Sequence, residues 1–183
     1  MDTGFLHSYK GLEPVSSDTT HLFSKNKDIN LSHYTKLYIP EVKVIALSEK
    51  INPYDRELFT QISAYSTASY KKLISKKSSN YELVDVAQKG TLILEVALSM
   101  VDGDDILKAH SLAFKSDAQT QEAYSKGEAR LLVEVKTSDA MNNEVLVQSM
   151  HLISDQEVLT TADTLKFRDV QPALDRWLTQ LIK

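Results

Sequence analysis

Hydrophobic positions along this chain follow two rhythms, one recurring every three or four residues and one alternating. The first rhythm governs residues 52–77, NPYDRELFTQISAYSTASYKKLISKK. There Leu58, Ile62, Tyr65, Ser69 and Leu73 recur at spacings of four, three, four and four, flanked by Phe59 and Ile74. Such spacing predicts a helix over about 53–76 with one buried stripe. Asn52 suits its N-cap, Pro53 its first helical position, Asp55 and Glu57 its positive end and the closing lysines its negative end. Near the end, DVQPALDRWLTQLIK places Val170, Leu174, Trp177, Leu178 and Leu181 on one face. This predicts a second helix over about 169–182, capped by Asp169 and tolerating Pro172 in its first turn.

Between the helices the alternation has period two. TKLYIPEVKVIAL (35–47) reads as the first strand, but its phase changes across Pro40: Leu37 and Ile39 precede it, whereas Val42, Val44 and Ala46 follow. A one-residue slip beside a residue that lacks an N–H predicts a bulge or an edge position. YELVDVA and TLILEVALSMV, separated by QKG, read as two antiparallel strands around a short turn, the second aligning Leu92, Leu94, Val96, Leu98 and Met100. DGDD (102–105) reads as a turn, ILKAHSLAF as a further strand and KSDAQTQEAYSKG as a polar connection. EARLLVEVK and EVLVQSMHLI alternate on either side of TSDAMNN, predicting a hairpin whose Asn142 and Asn143 tolerate positive φ.

The order strand, helix, several strands, helix predicts an α+β fold: a mixed, mainly antiparallel sheet with two helices packed on one face, preceded by an extended N-terminal arm. The helix contact is expected to join Ile62, Tyr65 and Leu73 to Leu174, Trp177 and Leu181. Residues 1–35 are polar with scattered aromatics and no sustained period, so the expected division is an arm over 1–35 and a single domain over 36–183. Within the arm, DTGFLHSYKGLEPV is kept from helix by two glycines and a proline, yet carries Phe5, Leu6 and Tyr9. Three large apolar side chains in five residues are costly to leave in water, so docking of this stretch against the domain is expected.

Composition sharpens the picture in three places. At 183 residues and 42% hydrophobic, the chain can bury roughly 70% of its unfolded surface around one core. A net charge of -4 excludes the basic character of a nucleic-acid binder, and no apolar run approaches the roughly 20 residues of a membrane-spanning helix. Charge is uneven, with eleven Lys/Arg against eight Asp/Glu over 1–77 and ten against seventeen over 78–183, a polarity that steers partners. The absence of cysteine excludes disulfides, thiolate metal sites and Cys nucleophiles.

Candidate chemistry is sparse. Histidines at 7, 21, 33, 110 and 151 form no i, i+4 pair, DGDD lacks the order of a calcium loop, and the five glycines build no phosphate-cradling loop or nucleophile elbow. Asp104 and Asp105 are sequence neighbours with no sign of a cleft to separate their pKa values. Lys71, Lys72, Lys76 and Lys77 could meet an anionic surface, but lysines at a helix C-terminus answer the dipole, and Trp177 in an apolar stripe reads as a core anchor. No catalytic residue, no metal ligand and no cofactor site emerges.

Taken together, GFLHSYKGLEPV, INLSHYTKLYIPEVKV, YELVDVAQKGTLILEVALSMVD, GEARLLVEVKTSDAMNNEVLV and DVQPALDRWLTQLIK resemble, in that order, a family of uncharacterised bacterial lipoproteins, the domain-of-unknown-function family 3313. The opening Gly-Phe-Leu-x-x-Tyr and the closing Ala-Leu-x-x-Trp are its most specific parts, while Asn142–Asn143 and Phe167 depart from the Thr-Gly and tryptophan usual there. The resemblance implies an export signal and a lipidated cysteine upstream of Asp2, with Met1 replacing them, and a lipid-anchored place on the periplasmic side of the bacterial outer membrane. It supplies no catalytic residue. The expectation is therefore a non-enzymatic domain that binds an envelope protein or component, with a cell-wall sugar-binding or hydrolytic domain as the alternative.

Overall fold

The computed structural model describes residues 3–6, 8–15, 18–26, 29–46, 53–77, 80–101, 130–154 and 166–180. An eight-stranded mixed sheet carries two helices. Its strands are β1 (Glu13–Val15), β2 (Asp18–Lys25), β3 (Lys36–Tyr38), β4 (Lys43–Ala46), β5 (Glu82–Val84), β6 (Thr91–Val101), β7 (Arg130–Asp139) and β8 (Val145–Ser154); the helices are α1 (Pro53–Lys77) and α2 (Phe167–Gln180). Spatial order is β1-β2-β8-β7-β6-β3-β5, with β4 also on β6. The pairs from β1 through β6 are antiparallel, whereas β3 and β4 lie parallel to β6 and β5 parallel to β3.

Three expectations change. The stretch 1–35, read as an extended arm, contributes β1 and β2 to the sheet, and His21–Lys25 pairs with Val147–His151 of β8. The strands β5 and β6 are not a hairpin, because β3 sits between them and all three run parallel. The last helix begins at Phe167, so Asp169 lies inside its first turn instead of capping it. The turn at 102–105, the strand expected over 106–114, Asn52 and Leu181 lie outside the described residues.

At Pro40 the chain leaves the sheet and returns. Tyr38 pairs with Ile93 and Lys43 with Ala97, so five steps on one strand span four on the other: the phase slip is a bulge. Helix α1 meets the backbone freed there. Val42 N–H donates to Thr67 Oγ1 at 2.9 Å, and Ser63 Oγ donates to Val42 O at 2.6 Å. Both hydroxyls, one turn apart, thus satisfy backbone groups of a residue that is 1% exposed.

The main core lies between the helices and the sheet face bearing Leu92, Val96, Leu98 and Val133. On α1 the buried line is Leu58, Ile62, Ser66 and Tyr70, spaced by four. Serine at 66 has no bulk to hold the helix away from its neighbours, which shifts the buried line from the one that large residues mark. Tyr70, which that larger stripe passes over, stacks on Trp177 with centroids 6.1 Å apart and planes 12° apart. Burial pushes its phenol up to about 12. Ile62, Leu174 and Trp177 lie in the core, and Tyr65 donates its hydroxyl to Asp175 while its ring meets Phe167 edge-on. Leu73 is half-buried and outside the core cluster, where its neighbour Ile74 packs instead.

Candidate functional site

The second core lies on the opposite sheet face, under the N-terminal segment. Strand pairing aligns Glu95 and Ala97 of β6 with Lys136 and Glu134 of β7, and these with Gln148 and Met150 of β8; Leu22 of β2 lies beside Met150. Over this face fold Phe5, Leu6 and Leu12, each 5 to 7% exposed, against Leu22, Ala97, Leu132 and Met150, with Tyr9 half-buried at the edge. Gly4 (φ +72°) and Gly11 (φ +90°) let the chain turn at the two ends of the stretch, a conformation side-chain-bearing residues rarely adopt.

Polar side chains of the sheet hold this segment along its length. Glu134, 0% exposed in the middle of β7, meets Thr3 Oγ1 at 2.7 Å and Tyr9 OH at 2.5 Å. Those two hydroxyls are themselves 2.7 Å apart, and Phe5 N–H donates to Thr3 Oγ1. Gln148 Nε2 donates to Ser8 O at 2.6 Å, and Lys136 Nζ to Phe5 O at 3.5 Å. The ammonium groups of Lys43 and Lys136 stand 5.5 and 5.0 Å from the centroid of the Phe5 ring. Burial, then the bond to Glu134, raises the Tyr9 phenol far above its ordinary value.

Glu95 joins both lysines, at 3.2 Å to Lys43 and 2.9 Å to Lys136. Burial pushes its carboxyl up, but the bonds and charges of Lys136 and then Lys43 outweigh this and hold it below its usual range. A lowered carboxylate contributes stability that is present above its ordinary value of about 4.3 and is lost as pH falls through the lowered one. Acidification from about pH 5 to about pH 3 is therefore expected to loosen residues 4–6. Hydrogen exchange of their amides checks this. Glu95→Gln should show weaker protection at neutral pH and little further loss in acid.

Beside Phe5 and Leu6 a half-open cleft of about 670 Å³ continues over the same face, walled by Tyr38, Pro40, Glu95, Lys136 and Ser138 among others. Among its described lining residues the acidic one is Glu95, engaged by two lysines. At the adjoining hairpin turn Asn143 takes φ +58°, and Asp139 Oδ1 accepts from Met141 N–H and Asn142 N–H. Tyr34 donates to Asp139 Oδ2 at 2.7 Å; burial and that carboxylate push its phenol up to about 12, and the bond holds Asp139 below its usual range. Among the described residues no group of three or more His, Asp or Glu could hold a metal ion.

A family model described as a protein of unknown function (DUF3313) matches residues 1–181. The chain belongs to that family. No curated protein matches it. Among solved structures, the PelC dodecamer from Paraburkholderia phytofirmans is similar at 10% identity and TM-score 0.38, covering 83% of this chain and 96% of that one. A point variant of the same dodecamer is similar at 8% identity and TM-score 0.41, over 88% and 95% of the two chains. A neuraminyllactose-binding hemagglutinin homologue from Helicobacter pylori is similar at 10% identity and TM-score 0.32, over 86% and 85%. Similarity at this level carries no functional inference.

The expectation for the first residues concerned Phe5, Leu6 and Tyr9, and all three pack on the outer face. Sequence reasoning passed over Glu134, Lys136 and Gln148. The signal was present: on β7, Glu134 and Lys136 alternate with Val133 and Val135, and such positions read as solvent-facing until something covers that face.

Proposed function

We propose that this DUF3313 chain is the folded part of a lipid-anchored protein on the periplasmic side of the bacterial outer membrane, and that it is a non-enzymatic domain binding an envelope protein or component. The observation that carries this reading is the clamping of residues 3–12 across the outer sheet face through Glu134, Lys136 and Gln148. A lipidated residue just upstream would leave the domain from a held point, so the domain would face its partner in a set orientation. A segment joined to the sheet only by its own flexibility would give no such orientation. No described helix is long and apolar enough to cross a membrane.

The alternative of a sugar hydrolase is less well supported by the cleft. Glycoside hydrolysis usually employs two carboxyl groups flanking the bond, and among the described residues lining the cleft the carboxyl is that of Glu95, bound by two lysines. The test is expression of the native gene with its own upstream region, with labelled palmitate and membrane fractionation. Incorporation of label and recovery with the outer membrane are the expected results. Unlabelled protein found wholly in the cytosolic fraction would defeat the anchored reading, and release of soluble fragments from purified cell wall would defeat the non-enzymatic one.

A further inference from the structure

Past the N-terminal segment the side-chain rows of the outer sheet face run into the half-open cleft beside Phe5. Strand pairing aligns Tyr38 of β3, Ile93 of β6 and Ser138 of β7, and Glu95 and Lys136 form the next row, against the segment. All five line the cleft, and its volume of about 670 Å³ lies within the range of about 300 to 1,000 Å³ usual for small-ligand sites. Charge on this wall is balanced, because one oxygen of Glu95 holds Lys136 at 2.9 Å and the other holds Lys43 at 3.2 Å. Among the described lining residues a cationic ligand therefore meets no carboxylate free of a lysine, and an anionic one meets Lys136 only beside Glu95. The other polar groups are neutral. The hydroxyls of Tyr38 and Ser138 and the side-chain amide of Asn143 bond to no other described residue, and each group can donate and accept. Ser138 is only 5% exposed, so its hydroxyl has little water to turn to. Ile93, Pro40 and Val145 supply apolar surface between these groups. An extended peptide is recognised chiefly by main-chain bonds at a free sheet edge, whereas Ile93 and Ser138 lie inside the sheet on strands paired on both sides.

We propose that the cleft binds an uncharged oligosaccharide bearing N-acetyl groups, which rests on the reading of an envelope-binding domain and names the class of component bound. Sugar hydroxyls both donate and accept, as the hydroxyls of Tyr38 and Ser138 do. An acetamide group brings an N–H and a C=O to the Ser138 hydroxyl and the Asn143 amide, and a methyl group to the surface of Ile93 and Val145. The Tyr38 ring gives the C–H face of a pyranose an apolar wall with a polar tip. Balanced charge suits a ligand that carries none. Gly4, Phe5 and Leu6 of the segment form the remaining wall, so the cleft is complete only while the segment is docked. Binding and docking are thereby linked: the sugar favours the docked state by the same factor as the docked state favours the sugar.

The experiment titrates the full nitrogen-15-labelled chain with N-acetylchitotetraose and, in parallel, with its cationic de-N-acetylated form, with anionic tetragalacturonate and with an extended uncharged peptide. Nuclear magnetic resonance reads the amides of Tyr38, Ile93, Ser138 and Asn143, and hydrogen exchange reads those of residues 4–6. The expected result is a saturable shift with the N-acetylated sugar, unchanged by salt between about 0.05 and 0.5 M, with stronger protection of residues 4–6 when it is bound. The other three probes should bind at least about tenfold more weakly. Ser138→Ala, and Asn143→Gly, whose glycine keeps the positive φ of the turn, should each weaken binding about threefold to tenfold and leave the free chain folded. Phe5→Ala with Leu6→Ala should abolish binding. Absence of a saturable shift at about 10 mM sugar would overturn the proposal. So would equal binding of either charged probe, tighter binding of the peptide, or an affinity that neither single substitution moves. A chain that takes up palmitate but binds no sugar would sink this inference and leave the anchored reading standing, whereas sugar binding without palmitate would do the reverse.

Discussion

Replacing Trp177 by alanine is expected to lower the unfolding free energy by about 3 to 5 kcal/mol, the usual cost of deleting a large buried aromatic side chain. Trp177 is 0% exposed, sits in the main core with Leu174 and Leu178, and stacks on Tyr70 of α1. Its removal would cost both the apolar burial and the aromatic contact that ties α2 to α1. Urea unfolding followed by circular dichroism measures the effect. An unchanged midpoint would mean that α2 does not pack where described. The indole Nε1 has no hydrogen-bond partner among the described residues, so Trp177→Phe should cost distinctly less than the alanine change.

The double substitution Phe5→Ala with Leu6→Ala should undock the N-terminal segment. Burial of these two large apolar side chains contributes about 3 to 6 kcal/mol to docking, and ordering the segment's backbone opposes it, so losing the apolar part favours the lifted state. The loss has an upper limit, because a segment that has already lifted cannot be destabilised further. Amide protection should therefore vanish over residues 4–12, while the urea midpoint of the sheet and helices moves much less. Equal loss of protection across the whole domain would show that the segment is integral to the core and not separable from it. The cut that isolates this segment falls after Leu12, since a later one removes β1 and enters β2, which pairs with β8.

Much of the fold was legible because periodicity reports which face of an element is apolar. The helix over 53–77, the β7–β8 hairpin and the bulge at Pro40 all follow from local spacing, and each is found. Partner choice was not legible. An alternating run fits an antiparallel neighbour and a parallel one alike, so β5 and β6, adjacent in sequence, read as a hairpin although β3 separates them. Polar letters misled in the same way. Ser63 and Ser66 fall outside the stripe marked by Leu58, Ile62, Tyr65, Ser69 and Leu73, yet both are buried, and Ser63 with Thr67 closes the hydrogen bonds of the bulge.

For the candidate site the division runs along the two sides of one contact. The sequence by itself determined the apolar half: Phe5, Leu6 and Tyr9 crowd a stretch whose glycines and proline forbid a helix, so burial against something else was the favourable outcome. It also determined the absence of thiol chemistry, since the chain has no cysteine. Only the tertiary structure decided where the segment lands and what holds it. Glu134, Lys136 and Gln148 lie 125 or more residues from the groups they bind, and no local pattern encodes a contact at that separation. A carboxylate on an alternating strand belongs to water by default. It becomes a buried, hydrogen-bonded partner only because the chain's own first residues fold back over that face and take the water's place.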